Sequence, residues 1–473
     1  MEEKFGASLI TKTLARSDFS IKQVMRVIDQ NGLGTAFIVN KQGKFVGLVT
    51  DGDIRRALLK GVSLEDPISK IMNRNAIVVR TPFTKEKIHN LVKREEVRRK
   101  IPLKGTLKIP VLNDDDKVVD ILFISHEIKT YSTLLQESSI VPTKTVRKIL
   151  VIGGAGYIGS VLVRKLLQKE YVVYVLDNLT YGDHGIKDLT NNPDFIFIKG
   201  DVRNLSDVLD AIKHVDAVVH LAAIVGEPAC SLKPEESIQV NYLATKMLAE
   251  TCKYFQVNRF IFASTCSVYG ESLSPDELLT EEATTNPISL YAEMKLKSEQ
   301  ALLEMLDDNF SPTILRFATV YGVSPRMRFD LVVNLLTAKA IFDKEITIFG
   351  GSQWRPFIHV GDVADAIIKC LEAPISQIRG QIFNVASQNI KIMELGKIIQ
   401  KHIPSAKLIV RSEIKDRRSY KVSSNKINKT LGFKPSKKIE DGVLEIKEAI
   451  KQGVFTNYTD KKYNNYIYLR DYE

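Results

Sequence analysis

Residues 148–168 read KILVIGGAGYIGSVLVRKLLQ, which is an apolar strand, a glycine-rich turn and an amphipathic helix in succession. Gly153, Gly156 and Gly159 have the spacing GxxGxxG. Glycine at these positions permits a tight turn and a close approach of the backbone to a pyrophosphate. The N-terminus of the following helix offers free N–H groups and a partial positive charge to the same anion. The stretch therefore predicts a dinucleotide site.

The next strand indicates which dinucleotide binds. The segment YVVYVLDNLTYG (171–182) contains Asp177, 24 residues after Gly153. A carboxylate at this point accepts hydrogen bonds from both hydroxyls of the adenosine ribose and repels a 2′-phosphate. No arginine stands beside Asp177 in the sequence, so NAD is predicted rather than NADP. Further contacts predicted at or beside the strand ends are Tyr157, Ile158, Asn178, Asp201, Val202, Leu221, Ala222 and Ala223.

A pair of residues downstream predicts acid/base chemistry. In PISLYAEMKLK (287–297), Tyr291 and Lys295 are one helical turn apart and share a face. A free tyrosine has a pKa of about 10 and is a poor base at neutral pH. A nearby ammonium favours the phenolate, so Lys295 is predicted to lower the pKa of Tyr291. The strand FASTCSVYG (262–270) precedes this helix and ends at the floor of the expected cleft.

Residues 148 to about 450 resemble the extended short-chain dehydrogenase/reductase family, the nucleotide-sugar epimerases and dehydratases. The matching stretches are GGAGYIGS, LDNLTYG, GDV, VVHLAA, VNYLATK, STCSVYG, YAEMK, LRFATVYG and RPFIHVGDVADA. The resemblance implies a Rossmann NAD domain with a doubly wound parallel sheet. It also implies a smaller C-terminal substrate part from about residue 320, a nucleotide-diphosphate sugar as substrate, and a homodimer or higher homo-oligomer.

The family's functional residues map onto positions of this sequence. The resemblance makes Thr265 the catalytic Ser/Thr, Tyr291 the acid/base, and Lys295 the residue that tunes it and holds the nicotinamide ribose. Asn241 takes the place of a structural or cofactor-proximal Asn, and Arg355 that of the arginine that grips the substrate diphosphate. Further substrate contacts expected around the sugar and the diphosphate are Cys266, Ser267, Thr319, Arg328, Phe349 and Arg418. Arg326 is expected either near the same cleft, as an anion contact, or on the surface.

The two residues after Thr265 bear on the reaction. A 4,6-dehydratase of this family has Asp and Glu there, as the acid and base for loss of water, whereas this sequence has Cys266 and Ser267. A thiol has a pKa of about 8.5 and a serine hydroxyl does not ionise usefully, so elimination is disfavoured. C4 epimerisation needs no second acid/base pair and is the preferred prediction. A net reductase or dehydrogenase stays open, as does a non-catalytic sensor of NAD and nucleotides.

The N-terminal part carries an internal repeat. A helix, a strand, a turn, a strand and a helix in the first half recur in the same order in the second. Residues 8 to 130 resemble a pair of CBS domains, most clearly in GLVTDGDIRRALLKG (47–61). The resemblance implies that Thr50 and Asp53 hold the ribose and phosphate of an adenine nucleotide. The second copy has apolar residues or Glu127 at the corresponding positions, so a purely structural, dimerising module is the alternative.

Composition and charge set the remaining expectations. We predict a CBS pair over 1–130, a linker over 131–147, the enzyme over 148–452 and a tyrosine-rich tail over 453–473, which packs on the enzyme or frays. The net charge is +11, and the excess lies before residue 148, which suits an anionic partner such as a nucleotide. The four cysteines have no CxxC spacing, so neither a disulfide framework nor a metal site is predicted. No nucleic-acid or membrane partner is predicted, and the chain is expected in the cytoplasm.

Overall fold

The fold was analysed in a computed structural model. It describes residues 10–31, 33–83, 91, 97, 106–125, 131–132, 146–271, 277–307, 309–411 and 419–471. The chain divides into two compact units, 1–144 and 145–473, and each is described by itself.

The first unit contains two small sheets with the same pattern. Its elements are β1 (Leu14–Arg16), α1 (Ile21–Asn31), β2 (Thr35–Val39), β3 (Phe45–Thr50), α2 (Asp51–Leu59), β4 (Val79–Arg80), β5 (Thr106–Leu112), β6 (Val118–Ser125) and β7 (Tyr131–Ser132). In each sheet a short first strand pairs parallel with the second, which pairs antiparallel with the third. The helix predicted over 84–97 and the one predicted from residue 126 lie largely outside the described residues.

The second unit is built on a seven-stranded parallel sheet. Its strands are β8 (Lys148–Ile152), β9 (Val172–Asp177), β10 (Phe195–Lys199), β11 (Ala217–His220), β12 (Arg259–Thr265), β14 (Ser311–Phe317) and β18 (Ile382–Val385). The strand order is β10-β9-β8-β11-β12-β14-β18, and every neighbouring pair is parallel. The order reverses between β8 and β11, and in such sheets ligands bind in the crevice at that point.

Helices cover both faces of this sheet because successive strand residues point to opposite sides. Ile149 and Val151 pack on one side, under α3 (Tyr157–Gln168) and α10 (Val360–Glu372). Leu150 and Ile152 pack on the other. The helices contributing to the second side are α4 (Leu205–Ile212), α7 (Ala244–Tyr254) and α8 (Leu290–Glu304); two short helices, α5 (Glu227–Leu232) and α6 (Pro234–Ile238), precede α7. The predicted doubly wound Rossmann fold is confirmed.

The C-terminal part forms a smaller layer with its own core. Its strands are β13 (Leu278–Leu279), β15 (Thr319–Tyr321), β16 (Glu345–Phe349), β17 (Trp354–His359), β19 (Gln388–Lys391), β20 (Lys407–Arg411) and β21 (Lys421–Val422). Its helices are α9 (Val332–Phe342), α11 (Ile375–Ile378), α12 (Ile392–His402), α13 (Asn425–Leu431) and α14 (Ile439–Lys451). A single boundary at about residue 320 does not describe this part, because α10 and β18 return to the main sheet.

The C-terminal tail packs on the second unit. Its last helix, α15 (Asn465–Arg470), follows a helical turn at Lys461–Tyr463. The Phe329 N–H donates to the Tyr463 carbonyl at 2.9 Å, and the Phe329 ring meets Phe455 edge-on with the ring centres 5.4 Å apart. Leu469 is buried. Of the two fates predicted for the tail, the structure has the packed one.

Three findings concern the described residues as a whole. None of their helices combines the length and the apolar run needed to cross a membrane. All four cysteines are free and buried. No group of three or more His, Cys, Asp or Glu residues suited to a metal ion occurs in the described part of the chain.

Candidate active site

A cavity of about 360 Å³ opens at the carboxyl ends of the main-sheet strands. The ends of β8, β9, β11 and β12 all contribute to it, so it lies at the reversal of strand order. Residues predicted for the cofactor that line it are Gly153, Gly156, Tyr157, Ile158, Gly159, Asp177, Asn178, Asp201, Val202, Leu221, Ala222, Ala223, Tyr291 and Lys295. The strand-end pattern in the sequence therefore identified one continuous surface.

Of Gly153, Gly156 and Gly159, only Gly156 borders open space. Gly153 has φ +82°, and a Cβ there would lie 2.6 Å from the Ala222 nitrogen. A Cβ on Gly159 would lie 2.3 Å from the Gly153 carbonyl oxygen. At Gly156, which caps α3, a Cβ would meet only that same oxygen, at 3.3 Å, and otherwise open space. The turn thus forms a cradle at the start of α3 that a pyrophosphate fits.

Two acidic strand ends flank this cradle. Asp177 accepts hydrogen bonds from the Ala155 N–H at 3.0 Å and the Leu179 N–H at 2.9 Å, which ties β9 to the glycine turn. Burial raises the pKa of Asp177. Asp201 accepts from Asn178 Nδ2 at 3.1 Å and pairs with Arg203, whose hydrogen bond lowers the pKa of Asp201 to about 2. The carboxylates keep oxygen lone pairs available to ribose hydroxyls.

The Tyr–Lys pair lies on the cavity wall, but its electrostatics differ from the prediction. Lys295 is buried, donates to the Ala263 carbonyl at 2.8 Å and lies 4.6 Å from the centre of the Phe262 ring. Burial lowers the pKa of Lys295 to about 8. Burial also raises the pKa of Tyr291, while a hydrogen bond with Thr265 acts in the opposite direction. Desolvation of the phenol dominates the pKa of Tyr291, and Lys295 is not among the largest causes acting on it, so the lowering by Lys295 stays a prediction.

A buried ion-pair network supports the helix that carries this pair. Glu299 follows Lys295 by four residues and accepts hydrogen bonds from Ser264 and from Arg316, the latter at 2.7 Å. Arg316 also donates to the Tyr269 hydroxyl at 3.0 Å. The network joins α8 to β12 and β14 directly behind the cavity. Sequence reasoning missed it, although the spacing of Tyr291, Lys295 and Glu299 at four-residue intervals was the available signal.

Asn241 does not reach the cavity. It lies in a π-helical turn, Gln239–Leu243, and is buried. Its Oδ1 accepts from the Ile224 N–H and its Nδ2 donates to the Ile224 carbonyl, both at 2.9 Å. The oxygen and the nitrogen of the side-chain amide are therefore both bonded to backbone. Of the two roles predicted for Asn241, the structure has the structural one and not the cofactor contact. Asn241 fixes the segment after β11, which lines the cavity.

The predicted substrate residues divide into two groups. Thr265, Ser267, Thr319 and Arg328 line the cavity. Cys266 does not: it is buried, and its Sγ donates to the Arg316 carbonyl at 3.2 Å. The predicted substrate contact of Cys266 is contradicted, because the chain turns into a helical turn after β12 and directs this side chain into the core.

Two further predicted contacts lie away from the cavity, and a third is not described. Phe349 is 47% exposed at the end of β16, opposite Arg411. Arg355 is buried and donates to the Trp354 carbonyl at 2.9 Å. The structure therefore does not bring Phe349 or Arg355 to this cavity. Arg418 lies outside the described residues.

Further residues that line the cavity were not among the predicted contacts, or were left open. Among them are Tyr181, Arg326, Asn465 and Leu469. Arg326 was expected either near the cleft or on the surface, and the structure buries it in the cavity wall. Asn465 and Leu469 come from the tail, whose sequence carries no motif for this site. Only the way the tail packs brings them there.

The second unit of the chain is similar to known proteins. A model described as the NAD dependent epimerase/dehydratase family matches residues 149–386. The chain belongs to this family. It is 30% identical to a putative UDP-glucose 4-epimerase of Methanocaldococcus jannaschii over 312 residues, which cover 64% of this chain and 98% of the relative. It is 29% identical to UDP-glucuronic acid decarboxylase 4 of Arabidopsis thaliana over 323 residues, 66% of this chain and 70% of the relative.

The solved structures give the same assignment. The UDP-glucuronic acid 4-epimerase of Bacillus cereus, in complex with UDP-glucuronic acid and NAD, has a TM-score of 0.58 and 29% identity, covering 64% of this chain and 99% of that protein. As a member of this NAD-dependent enzyme family, the chain has NAD as its cofactor, as predicted. The glycine cradle and Asp177 fit that cofactor.

The first unit contains a CBS domain, which a family model matches at residues 13–60. Thr50 is the N-cap of α2: its Oγ1 accepts from the Asp53 N–H at 3.2 Å, and Asp53 accepts from the Thr50 N–H at 3.0 Å. Arg56 pairs with Asp53 at 2.6 Å. The two residues predicted to hold a nucleotide thus bond to each other and to the helix N-terminus, which a cap alone explains.

Proposed function

We propose that this family member is an NAD-dependent nucleotide-sugar epimerase that inverts C4 of a hexose through a 4-keto intermediate. The observation that carries the proposal is the turn after β12. Thr265 and Ser267 face the cavity there, Cys266 is in the core, and none of the three is a carboxylate. Loss of water across C5 and C6 needs an acid and a base at the sugar, whereas inversion at C4 needs one proton carrier.

The chain's own residues supply that proton transfer. In the proposal, Tyr291 as a phenolate takes the proton of the C4 hydroxyl and later returns it, and Thr265 donates a hydrogen bond to the same oxygen. Desolvation raises the pKa of Tyr291, and the charge of Arg328 favours the phenolate against it. NAD, when bound, accepts and returns the hydride at C4. Lys295, with a pKa of about 8, keeps a mostly protonated ammonium at pH 7 beside the ribose of the nicotinamide. The 4-keto sugar turns over in the cavity between the two transfers.

The sugar nucleotide is proposed to be a UDP-hexose. The support is that relatives named as 4-epimerases act on UDP-glucose or UDP-glucuronic acid. Arg418 is proposed to bind the diphosphate, because arginine can make bidentate contacts with phosphoryl oxygens.

The remaining parts of the proposal concern the rest of the chain. A nucleotide at the CBS module, near Thr50 and Asp53, is proposed to regulate the enzyme, and the enzyme is proposed to act as a homodimer in the cytoplasm. The basic charge of the first 147 residues supports an anionic regulator.

A panel experiment tests the reaction. Pure full-length protein is incubated with UDP-, GDP-, dTDP- and CDP-hexoses and with UDP-glucuronic acid, products are followed by NMR, and the NADH absorbance band is recorded in parallel. Interconversion of C4 epimers without net NADH supports the proposal. A 4-keto-6-deoxy product, a pentose formed with loss of CO₂, or stoichiometric NADH would replace it by a dehydratase, a decarboxylase or a dehydrogenase, respectively.

A further inference from the structure

One wall of the cavity contains buried polar atoms with no partner among the described residues. They are Nε and Nη2 of Arg326, the hydroxyl of Tyr181 and Oδ1 of Asn465. Arg326 is 4% exposed and Asn465 5%. Leaving a buried donor or acceptor unsatisfied costs free energy, and such groups in native proteins call for a ligand, a water or an ion. All three residues line the cavity.

Arg326 carries the unpaired positive charge of this wall, as far as the described residues show. Its neighbour Arg328 forms two hydrogen bonds with Asp330, both at 2.8 Å, and so has an acidic partner. Arg326 stacks instead on the Tyr181 ring, 4.6 Å from its centre. Burial, together with the charge of Arg328, lowers the pKa of Arg326 to about 10, so it stays cationic at pH 7. A buried guanidinium with two unpartnered donors, Nε and Nη2, on one edge suits an anion bound in a fork.

The C-terminal segment 464–470 completes this wall. The Asn465 N–H donates to Asp330 at 3.0 Å, and the Tyr468 and Tyr181 rings are 5.7 Å apart. Leu469 packs with Ile224 and Cys230, in the cluster that also contacts Tyr291. These contacts along the segment hold Asn465 in the wall of the cavity that also contains Tyr291 and Lys295.

We propose that Arg326, Tyr181 and Asn465 form a phosphoryl-binding subsite of the cavity, which the C-terminal segment 464–470 completes. Arg326 binds the phosphoryl oxygens, and the Tyr181 hydroxyl and the Asn465 amide bond to those oxygens or to an adjoining ribose hydroxyl. The subsite rests on the proposed function to the extent that the cavity takes a dinucleotide and a nucleotide sugar. Either pyrophosphate has this chemistry, and binding measurements distinguish them.

The test compares Arg326→Gln with Arg326→Lys in the full-length protein. Calorimetry gives the Kd of ADP-ribose and adenosine for the protein, and of UDP and uridine for the NAD-loaded protein. Loss of a charge-assisted contact is expected to weaken ADP-ribose or UDP about 10- to 100-fold, to leave the matching nucleoside unchanged, and to be partly restored by lysine. The ligand that weakens identifies the source of the phosphoryl group.

Controls separate this subsite from general damage. Arg411→Gln, at an exposed arginine on β20, is expected to bind like the wild type. Asn465→Ala should weaken the same ligand as Arg326→Gln, whereas Tyr466→Phe on the same helix should not. Removing an unpaired buried charge should also leave the thermal midpoint of the free protein unchanged or higher.

Three outcomes would overturn the subsite. They are unchanged affinity of both phosphorylated ligands in Arg326→Gln, equal weakening of nucleosides and nucleotides, and wild-type binding by Asn465→Ala. If Arg326→Gln does not fold, Arg326→Lys and Asn465→Ala decide the question. No readout depends on turnover, so a protein that binds both ligands without epimerising any sugar would refute the proposed function and leave the subsite standing.

Discussion

Tyr291 and Lys295 show how burial sets the protonation of the cavity. The pKa of Lys295 falls to about 8 because its ammonium is desolvated, and the pKa of Tyr291 rises for the same reason. The Thr265 hydroxyl and the charge of Arg328 act against the rise at Tyr291. Thr265 and Arg328 therefore favour the phenolate that the proposed proton transfer needs, against the desolvation that favours the phenol.

Replacing Tyr291 by Phe should remove this proton carrier. We expect epimerase activity to fall at least about 100-fold, since positioned acid/base groups contribute about 10²- to 10⁴-fold. NAD affinity, measured by calorimetry, should stay close to that of the wild type. Tyr254→Phe, at a tyrosine that is 83% exposed, is the matched control. Retained turnover in Tyr291→Phe would refute the role given to the phenol.

His220 at the end of β11 predicts a pH dependence of stability. Its Nε2 donates to Thr245 Oγ1, 3.0 Å away, because the Thr245 hydroxyl itself donates to the Asn241 carbonyl. Burial lowers the pKa of His220 to about 3 from 6.5. Below pH 6.5 the unfolded chain binds a proton that the folded chain refuses. The contribution of His220 is therefore fully present above pH 6.5 and is lost as the pH falls toward 3.

Between pH 7.5 and pH 5, we expect the free energy of unfolding of the wild type to fall by about 2 kcal/mol more than that of His220→Gln. Urea titrations followed by Trp354, the single tryptophan, report on the second unit. His214→Gln, at an exposed histidine, should keep the wild-type pH dependence. Parallel curves for the wild type and His220→Gln would contradict the assignment.

At the scale of elements, two glycines of the turn between β8 and α3 have different roles: Gly159 allows close packing of the turn itself, and Gly156 leaves space at the cavity. Gly159→Ala would push a Cβ to 2.3 Å from the Gly153 carbonyl oxygen, so the turn itself must shift. We expect it to lose stability, by about 1–3 kcal/mol, as well as NAD affinity. Gly156→Ala projects into open space at the cavity and should weaken NAD with little change in the thermal midpoint. Wild-type NAD binding by Gly156→Ala would place the pyrophosphate elsewhere.

The sequence predicted the elements that are determined by residues close together in the chain. The strand–glycine–helix unit and the acidic end of β9 are set by neighbouring residues, and both were predictable. Cys266 was not, because its orientation depends on the helical turn after β12 rather than on strand alternation. The unpartnered Arg326 depends on a tail segment about 140 residues later, and no local pattern connects the two.

At the scale of the whole molecule, one chain contains both a CBS module and an enzyme, which predicts that a nucleotide bound to the module regulates the activity of the enzyme. Full-length protein titrated with adenine, guanine and cytidine nucleotides should give binding heat with one class. Asp53→Asn should weaken that heat, because it removes the charge beside Thr50 and Arg56. Asp51→Asn, at an exposed carboxylate in the same helical turn, is the control. No heat with any nucleotide would leave the module a structural role.

The central claim is that one carbon is oxidised and reduced again within the same cavity. Its most direct test follows the hydrogen at C4: the accepted nucleotide hexose, deuterated at C4, is incubated with full-length protein and unlabelled NAD. We predict that the C4 epimer retains deuterium at C4 and that no NADH band develops. Loss of the deuterium to solvent or to free NADH, or a product altered at C5 or C6, would contradict the claim.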